Sequence, residues 1–435
     1  MTFAEIIARK RDGGRLTRDE IATFVVGASQ STLSPEQLAA MLMAICCRGM
    51  DAEETRWLTQ EMLASGEVWR LAEANPEAVD KHSTGGVGDT VSLVLTPLLV
   101  AVGVPVAMMS GRGLGHSQGT LDKLEAVPGL RTSWDRRGML ELLERCRAAL
   151  VAQTEDVAPA DRVLYALRDV TGTVPSLPLI VGSIMSKKLA LGASTLVLDV
   201  KWGRGAFRKT TAAALELAAA LREVARGMGM AAEALVTDMN QPLGPALGTA
   251  CEVRAALDVL SGRGDSMLRE LSLRLCEEAM VLRGQDRADA RRRLEAALAD
   301  GSARTAWERI VEAHGGDPDP ELLARPLQTT EVVAAEAGFL SSVDGESLGW
   351  LAGALGAGRR TVTEPLAHGA GLIVHARLGQ RLERGQPLAT VLVGERTVEL
   401  EAVCTRVRDA FTFAPEPCPV PPLVLGAVDE LASGA

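Results

Sequence analysis

The sequence predicts an α/β protein with a small helical domain, a mostly parallel-sheet α/β domain with a cleft between the two, and a β-rich α+β C-terminal domain. Helix-start signals recur through the first sixty-odd residues. From about residue 78, apolar strands alternate with glycine-rich loops and helices, which is typical of a parallel sheet. After a proline- and aspartate-rich stretch at 317–320, strand patterns and turns dominate. We therefore expect domains at 1–65 (with a helical insert at about 160–190), 66–330 and 331–435.

Capping signals predict the N-terminal helices. A Ser, Thr or Asp followed three residues later by Glu or Gln satisfies free N–H groups at a helix start. Three such pairs each precede an apolar run: Thr17 with Glu20, Ser34 with Gln37, and Asp51 with Glu54. The pattern between 160 and 190 is again helical, and we expect it to return the chain to the N-terminal bundle.

Apolar runs predict the strands and helices of the α/β part. The expected strands are 78–80, 104–109, 195–200 and 234–236, with a helix at about 211–226 and further helices through 252–314. The stretch from Thr90 to Gly111 has 22 residues without a charge, long enough to cross a bilayer. Pro97, Gly103 and Pro105 interrupt it, so it predicts a buried helix followed by a buried strand.

Composition excludes several function classes. A formal charge of -10 with 3% aromatic residues and no basic tract argues against nucleic acid as a partner. The seven cysteines lack zinc or redox spacing and indicate reduced core residues. The N-terminal residues contain charges where an export signal needs an apolar run, so we expect a cytoplasmic protein with no membrane partner.

Two glycine-rich loops predict an anion site. In the first, residues 81–89, glycines let backbone N–H groups converge on a ligand at the positive end of the next helix. Lys81, Ser83 and Ser92 add an ammonium and two hydroxyl donors there. The second loop, residues 110–120, follows the next strand, and the carboxyl ends of neighbouring parallel strands face one crevice. Neither loop matches a P-loop or a dinucleotide fingerprint.

The helical insert carries a second set of polar side chains. Tyr165 with Arg168, and Ser183 with Lys187, are spaced so that each pair shares one helix face. Arg168, Ser183 and Lys187 could donate to a planar ring with carbonyl oxygens, although a solvated helix face explains each residue singly. Six of the seven lysines lie between positions 81 and 209, the segment that contains these residues and both loops. Of the five histidines, only His82 lies in the first loop, and the others are expected to pack or face solvent.

Five long motifs follow one another along the chain: KHSTGGVGDTVS, SGRGLGHSQGTLDKLEAVPG, LYALRDVTGTV, GSIMSKKLA and LVLDVKWGRGAF. In this order they resemble the motifs of the thymidine and pyrimidine-nucleoside phosphorylases. The resemblance implies a homodimeric pentosyltransferase that needs no cofactor and whose domains close on a pyrimidine nucleoside and phosphate. Motif matches imply phosphate ligands at Lys81, Ser83, Ser92, Ser110 and Thr120. They imply a base site at His82, Tyr165, Arg168, Ser183 and Lys187, with apolar contacts from Leu114, Val174, Ile180 and Phe207.

Reaction chemistry assigns roles within that resemblance. Cleaving the N-glycosidic bond places negative charge on the departing base, so His82, Arg168 and Lys187 are the expected catalytic residues. Thymidine and phosphate would give thymine and 2-deoxyribose 1-phosphate, with uridine and deoxyuridine as further candidate substrates. Met108 matches the thymidine branch of the family, but no residue type reports on tolerance of the 2′-hydroxyl.

Several positions depart from the family pattern. Gln118 replaces a usual glycine, and Trp202 and Arg204 replace smaller residues. Some family members bind potassium, and Gly88, Thr90, Leu243 and Ala246 match its carbonyl and hydroxyl ligands. The position that would supply the carboxylate is Ala255, so affinity for potassium should fall.

Two other functions stay open. A phosphoribosyltransferase of the same fold should carry a Gly-Thr-Gly-Gly-Asp loop and magnesium ligands, where Lys81-His82-Ser83 stands instead. A non-catalytic nucleoside- or phosphate-binding homologue is the other reading. The segment 371–393 resembles a biotinyl or lipoyl hammerhead, a barrel-sandwich-like element, but no lysine follows Lys209 to carry a cofactor.

Overall fold

The computed structural model describes residues 1–113, 116–359 and 364–433. Contacts divide the chain into two compact units. The helical unit comprises residues 1–80, 153–196 and 216–232, and the α/β unit comprises 81–152, 197–215 and 233–435. The three predicted domains and their boundaries stay predictions.

Helices supply most of the ordered structure. Their bounds in chain order are α1 (Phe3–Arg11), α2 (Arg18–Ser29), α3 (Pro35–Arg48), α4 (Ala52–Ala64), α5 (Leu71–Ala74), α6 (Val91–Ala101), α7 (Thr120–Leu124), α8 (Arg136–Cys146), α9 (Pro159–Thr171), α10 (Leu177–Leu191), α11 (Thr211–Gly227), α12 (Ala250–Leu260), α13 (Ser266–Leu282), α14 (Arg287–Ala299), α15 (Ser302–Ala313), α16 (Gly345–Ala352), α17 (Leu400–Asp409) and α18 (Val428–Ser433). A 3-10 turn covers Pro320–Leu322 and a π turn covers Gly353–Ala357.

Within the described residues, thirteen strands form three sheets. Their bounds are β1 (Val79–Ser83), β2 (Val106–Ser110), β3 (Ala148–Ala152), β4 (Thr195–Trp202), β5 (Ala231–Asp238), β6 (Ala246–Gly248), β7 (Gln328–Val333), β8 (Gly338–Val343), β9 (Gly371–Val374), β10 (Arg381–Leu382), β11 (Pro387–Val393), β12 (Phe411–Ala414) and β13 (Val424–Ala427). The six-stranded sheet has the order β13-β5-β4-β1-β2-β3, with β2 and β3 parallel and the edge strand β13 antiparallel to β5.

The N-terminal helices begin where their capping signals predict. Thr17, Ser34 and Asp51 each cap a helix reciprocally with the Glu or Gln three residues later. A buried apolar cluster, including Phe24, Leu58 and Leu164, then packs the first helices against α9 of the insert. The insert and the N-terminal helices thus share one buried core.

Of the four strands predicted for the large sheet, three are longer in the structure, and the one predicted at 104–109 is β2 at Val106–Ser110. The strand predicted at 78–80 is β1, which continues to Ser83, so Lys81 and Ser83 lie on the strand and not in the loop. Strand β3 was not predicted, because its sequence, Ala-Ala-Leu-Val-Ala, is rich in the residue with the highest helix propensity. The charge-free stretch forms α6 followed by β2, as predicted, with Pro97 inside the helix. Across the described ranges, no helix is long and apolar enough to cross a membrane.

Two smaller sheets follow in the C-terminal part. One has the order β10-β8-β12 and the other β6-β9-β11-β7, with antiparallel pairing between the adjacent strands. Their inner faces share a buried core with α16 and α17 that includes Leu340, Leu348 and Val391. Strand β6 comes from the preceding α/β segment, so the C-terminal sheet is completed from outside the last hundred residues.

Candidate functional site

The first glycine-rich loop lies between β1 and α6. Gly85 and Gly88 adopt φ values of +90° and +70°, in the left-handed region that favours glycine. The Gly85 N–H donates to Ser83 Oγ at 3.2 Å. A Cβ on Gly85 would lie 3.7 Å from Ser117 Oγ of the second loop. The two loops therefore lie side by side, as the strand order predicts.

Lys81 is buried beneath this loop, with 3% of its surface exposed. Its Nζ donates to Ser92 Oγ at 3.4 Å and lies 3.7 Å from Asp199 Oδ2. Burial lowers the pKa of Lys81, and Asp89 and Asp199 act in the opposite direction. Two of the predicted phosphate ligands, Lys81 and Ser92, are thus in contact.

Asp89 closes the same loop and had no predicted role. Its Oδ2 accepts the Ser83 hydroxyl at 2.6 Å, and its Oδ1 accepts the Val91 N–H at 3.2 Å. Burial alone would raise the pKa of Asp89, but the ammonium groups around it and the Ser83 hydroxyl hold it well below its usual range. The carboxylate is therefore ionised when the loop is folded.

Lys123 and Lys201 explain how the loop is supported. Lys123 Nζ lies 2.6 Å from Glu252 Oε2 and donates to the Asp89 carbonyl oxygen at 2.5 Å. Lys201 Nζ lies 2.7 Å from Asp199 Oδ2 and 3.9 Å from Asp89 Oδ2. Burial raises the pKa of Glu252, while Lys123 lowers it. Sequence reasoning missed these carboxylates, although Asp199 and Lys201 stand two apart on β4 and so share a face of the strand.

The second loop is organised by Asp122. Its Oδ2 accepts the N–H groups of Gly113 and Gly119 at 2.5 and 3.0 Å, and its Oδ1 accepts Arg359. Ser110 ends β2 and Thr120 begins α7, so both predicted phosphate ligands lie at the ends of the loop. Leu114, predicted at the base site, lies outside the described residues.

An aromatic group borders the second loop. The ring of His116 lies 4.9 Å from that of Phe207 and 6.3 Å from that of Trp350, between centroids. His116 is buried and its Nε2 lies 3.3 Å from the Gly205 carbonyl oxygen, which fits the packing role expected for it. Phe207, a predicted base contact, is 42% exposed and lies beside Gly85 of the first loop.

The predicted base-site residues of the helical unit lie on α9 and α10. Arg168 is only 2% exposed, and its Nη1 and Nη2 donate to the carbonyl oxygens of Leu179 and Val174 at 3.0 and 2.7 Å. Its guanidinium lies 5.3 Å from the centroid of the Tyr165 ring. Burial lowers the pKa of Arg168 and raises that of Tyr165. Arg168 therefore fixes the turn between the two helices.

Lys187 is the more accessible cation of this group, with its side chain 26% exposed. Its Nζ donates to Asp161 Oδ2 at 2.6 Å and to Ser183 Oγ at 3.1 Å. Asp161, which sequence reasoning missed, is buried and lies 26 positions away in the chain. Ile180 and Val174 are half-buried near the start of α10. The structure brings Arg168, Ser183 and Lys187 into one unit, and Lys81, Ser83, Ser92, Ser110 and Thr120 into the other.

The predicted potassium ligands also lie in the α/β unit. A Cβ on Gly88 would lie 3.3 Å from the Ala246 carbonyl oxygen, so these two positions are close. Thr90 Oγ1 donates to Glu252 Oε2 at 2.9 Å, and Leu243 N–H donates to the Val87 carbonyl oxygen at 3.1 Å. Throughout the described segments, no three His, Cys, Asp or Glu side chains gather as a metal site.

Family descriptions match most of the chain. The glycosyl transferase family a/b domain matches residues 75–304, the glycosyl transferase family helical bundle domain matches 4–66, and the pyrimidine nucleoside phosphorylase C-terminal domain matches 339–414. The pyrimidine-nucleoside phosphorylase of Bacillus subtilis is 42% identical over 422 residues, covering 96% of this chain and 97% of that protein. That of Geobacillus stearothermophilus is 42% identical over 405 residues, covering 92% and 94%.

A solved structure shows the same fold. Anthranilate phosphoribosyltransferase from Thermus thermophilus matches with a TM-score of 0.57 at 19% identity, covering 71% of this chain and 98% of that one. At this identity the likeness concerns the fold alone. Together with the family descriptions, it confirms the predicted fold class.

Proposed function

Because the chain belongs to the pyrimidine-nucleoside phosphorylase family, we propose that it cleaves pyrimidine nucleosides with inorganic phosphate. The products are the free base and a sugar 1-phosphate. Thymidine would give thymine and 2-deoxyribose 1-phosphate, and uridine and deoxyuridine are further candidate substrates. The structural observation that carries the proposal is the pair of adjacent glycine-rich loops above buried Lys81.

The α/β unit would hold phosphate. Lys81 supplies an ammonium, the hydroxyls of Ser83, Ser92, Ser110 and Thr120 supply donors, and loop amides complete the site. A buried ammonium with lowered pKa gives up little hydration when an anion arrives, so its attraction to phosphate is strong. The overall charge of -10 does not oppose this, because the pocket is local.

The helical unit would hold the base. Lys187 and Ser183 present adjacent donors, and Arg168 adds positive charge while fixing the turn between α9 and α10. From the same unit, Tyr165 would contact the ring, and Val174 and Ile180 would contact its 5-substituent. The α/β unit would add His82 to the ring, and Phe207 and Leu114 to the 5-substituent.

Phosphate is the nucleophile, so no protein nucleophile is required. An oxygen of phosphate attacks the anomeric carbon on the face opposite the base, and the electrons of the glycosidic bond move onto the pyrimidine. The positive charges of Lys187 and Arg168 stabilise that developing anion, which is the catalytic effect we assign to them. Attack from the opposite face inverts the anomeric carbon. Both substrates must meet, so closure of the helical and α/β domains stays part of the proposal.

The residues present do not fit a potassium ion. Glu252 is the carboxylate beside Thr90, but it is already paired with Lys123, and Ala255 supplies no further charge. The carbonyl oxygens at this place are neutral, and that of Gly88 already accepts the Gly244 N–H at 3.1 Å. We therefore assign no step to potassium.

Other features of the proposal come from the family resemblance. We infer a homodimer, a cytoplasmic location, and no partner beyond the nucleoside and phosphate. A phosphoribosyltransferase shares the fold, but the 42% identity over nearly the whole chain favours the nucleoside phosphorylase. A non-catalytic homologue would bind the same substrates without turnover.

A single assay separates these functions. Purified protein is incubated with thymidine, uridine and deoxyuridine, each with and without phosphate, and free base and sugar 1-phosphate are measured. We expect base release only when phosphate is present, with one sugar 1-phosphate per base. Equal release without phosphate would indicate hydrolysis, and no release with any of the three would indicate a binding protein.

A further inference from the structure

The first loop contains a buried carboxylate, that of Asp89, beside its predicted phosphate ligands. Asp89 Oδ2 accepts the single proton of the Ser83 hydroxyl at 2.6 Å, and its side chain is 8% exposed. A serine hydroxyl has only one proton to donate. If Ser83 donates to phosphate, that proton leaves Asp89, and a buried carboxylate oxygen loses its shortest hydrogen bond.

The other donors around Asp89 already have partners. Lys81, whose charge also acts on Asp89, donates to Ser92 Oγ and, as a predicted phosphate ligand, would turn to the same anion. The Val91 N–H donates to the other oxygen, Oδ1, at 3.2 Å. Lys201 Nζ lies 3.9 Å from Oδ2 and is closer to Asp199, at 2.7 Å. Lys123 reaches the Asp89 main-chain carbonyl and pairs with Glu252. An incoming ligand is therefore the natural source of a new donor to Oδ2.

The charged groups around Asp89 also favour a ligand that can donate a hydrogen bond. Three buried ammonium groups, Lys81, Lys123 and Lys201, face three carboxylates, Asp89, Asp199 and Glu252. Their formal charges cancel, so the pocket holds no surplus positive charge for a fully deprotonated dianion. A bare oxyanion oxygen next to Asp89 would meet like charge, because both groups are acceptors only.

We propose that Asp89 makes the oxyanion pocket selective for ligands that carry a proton, so that phosphate binds and sulfate is rejected. This rests on the proposed function, in which Ser83 is a phosphate ligand. Near neutral pH phosphate keeps at least one P–OH group. Because Ser83 Oγ lies 2.6 Å from Asp89 Oδ2, a ligand bound to Ser83 also lies beside Asp89. The P–OH donates to Oδ2 as Ser83 turns to the ligand. Sulfate has no such proton, and it leaves the carboxylate unpaired against its own charge.

Calorimetric titration of the full-length protein with phosphate and with sulfate, at constant pH and ionic strength and without nucleoside, tests the selectivity directly. We expect sulfate to bind at least about 30-fold more weakly, the scale of one hydrogen bond to a charged group. In Asp89→Asn the side chain still accepts from Ser83, and its amide can donate to either ligand, so the ratio should fall below about 3-fold. Similar affinities in the parent protein, or an unchanged ratio in Asp89→Asn, would overturn the proposal.

Asp122→Asn is the matched control. Asp122 is also a buried loop carboxylate, but it accepts amide N–H groups and Arg359 in place of a hydroxyl. The Asp122→Asn variant should change the affinities for phosphate and sulfate by the same factor, so their ratio stays that of the parent protein. A loss of selectivity in this variant as well would argue against a specific role for Asp89. Circular dichroism checks that each variant is folded.

Should Asp89→Asn fail to fold, Ser83→Ala decides the question. Both oxyanions should bind more weakly, while phosphate keeps its advantage because Asp89 is still present; loss of the advantage would contradict the role of Asp89. These titrations do not depend on turnover. Base release without any need for phosphate would defeat the proposed function, whereas phosphate-dependent release with equal sulfate affinity would defeat only this inference.

Discussion

The two groups of site residues are held in place by different means. In the helical unit, partners are near in the chain: Lys187 bonds to Ser183 four positions away, and Arg168 bonds to Val174 six positions away. In the α/β unit, Thr90 bonds to Glu252 across 162 positions. Local spacing therefore builds most of the first group, apart from the Lys187–Asp161 pair, whereas long-range pairs with Glu252 support the second.

Burial differs as well. Lys187 is 26% exposed, whereas Lys81, Lys123 and Lys201 are each almost fully buried. Buried pairs cost desolvation energy and tolerate the loss of one partner poorly, while an accessible cation is free to act on a ligand. The comparison teaches that the proposed base site is arranged to present charge, and the proposed phosphate site to hold a loop in a fixed shape.

The adjacent lysines Lys187 and Lys188 give the sharpest test of this difference. Lys188 is 3% exposed and lies 2.9 Å from the buried Asp80 carboxylate. We expect Lys187→Met to lower kcat/KM for thymidine by about 10³-fold, the effect of removing a donor to a developing anion. Lys188→Met should instead lower the free energy of unfolding by about 3–5 kcal/mol, because it leaves Asp80 buried without its ammonium.

A double variant separates charge presentation from structural support at Lys187. The single change also leaves buried Asp161 without its cation, so some stability should be lost. Lys187→Met with Asp161→Asn should recover most of that stability but none of the activity. Steady-state kinetics and urea unfolding measure both quantities. Recovery of activity in the double variant would show that Lys187 only supports the fold.

The local and long-range character of these contacts also explains what the sequence could predict. The capping boxes at Thr17, Ser34 and Asp51 were predicted correctly because each depends on residues three apart. Strand β1 was predicted too short because Lys81, His82 and Ser83 are polar. Only Val79 and Asp80 precede them in the strand, and two residues are too few to show where strand pairing ends. Pairing with neighbouring strands, which the sequence does not display, extends the strand to Ser83.

In the candidate site, too, the locally spaced residues could be predicted from the sequence, and most of the long-range partners could not. Both loops and the pairs on α9 and α10 could be predicted from glycine content and helical spacing. Asp161 and Glu252 could not, because an isolated carboxylate in a sequence carries no sign of its partner. Asp199 was missed although its partner Lys201 stands two residues away on the same strand. The clustering of lysines pointed to Lys123 and Lys201, but only the fold shows that each is neutralised by a buried acid.

His314 extends the comparison to long-range support in the α/β unit. It is almost fully buried, its Nε2 accepts the Leu150 N–H of β3 at 3.2 Å, and its Nδ1 lies 2.8 Å from the Ile310 carbonyl oxygen. Burial lowers the pKa of His314 to about 4. The neutral ring is thus part of the folded state.

Acidification should therefore weaken this support. Between pH 6.5 and pH 4 the unfolded chain takes up a proton on His314 that the folded chain does not, so the free energy of unfolding falls as pH drops. The contribution of this one residue is about 3 kcal/mol, complete near pH 4. Urea unfolding at pH 7 and pH 4.5 should show a smaller acid-induced loss in His314→Gln than in the parent. Equal losses in the two proteins would exclude His314 as the source.

Arg359 offers a test with a smaller expected effect on the difference between the site residues of the helical unit and those of the α/β unit. It donates to Asp122, the carboxylate that holds the Gly113 and Gly119 amides, and to Glu125 Oε2 at 2.8 Å. Arg359→Met should loosen the second loop and raise KM for phosphate by about 10-fold, the cost of one or two partly buried hydrogen bonds. KM for the nucleoside should rise less, because the proposed donors to the base, Arg168, Ser183 and Lys187, belong to the other unit.

Arg396→Met is the matched control for this change. Arg396 is similarly buried and also lies in the C-terminal part, but it donates to the Gly353 and Gly358 carbonyl oxygens and pairs with Glu364. Its loss should reduce stability without a selective effect on phosphate. If both variants raise KM for phosphate equally, the effect comes from general loosening of the C-terminal part. If only Arg359→Met does so, a residue far along the chain controls the phosphate loop, as long-range construction of the α/β group requires.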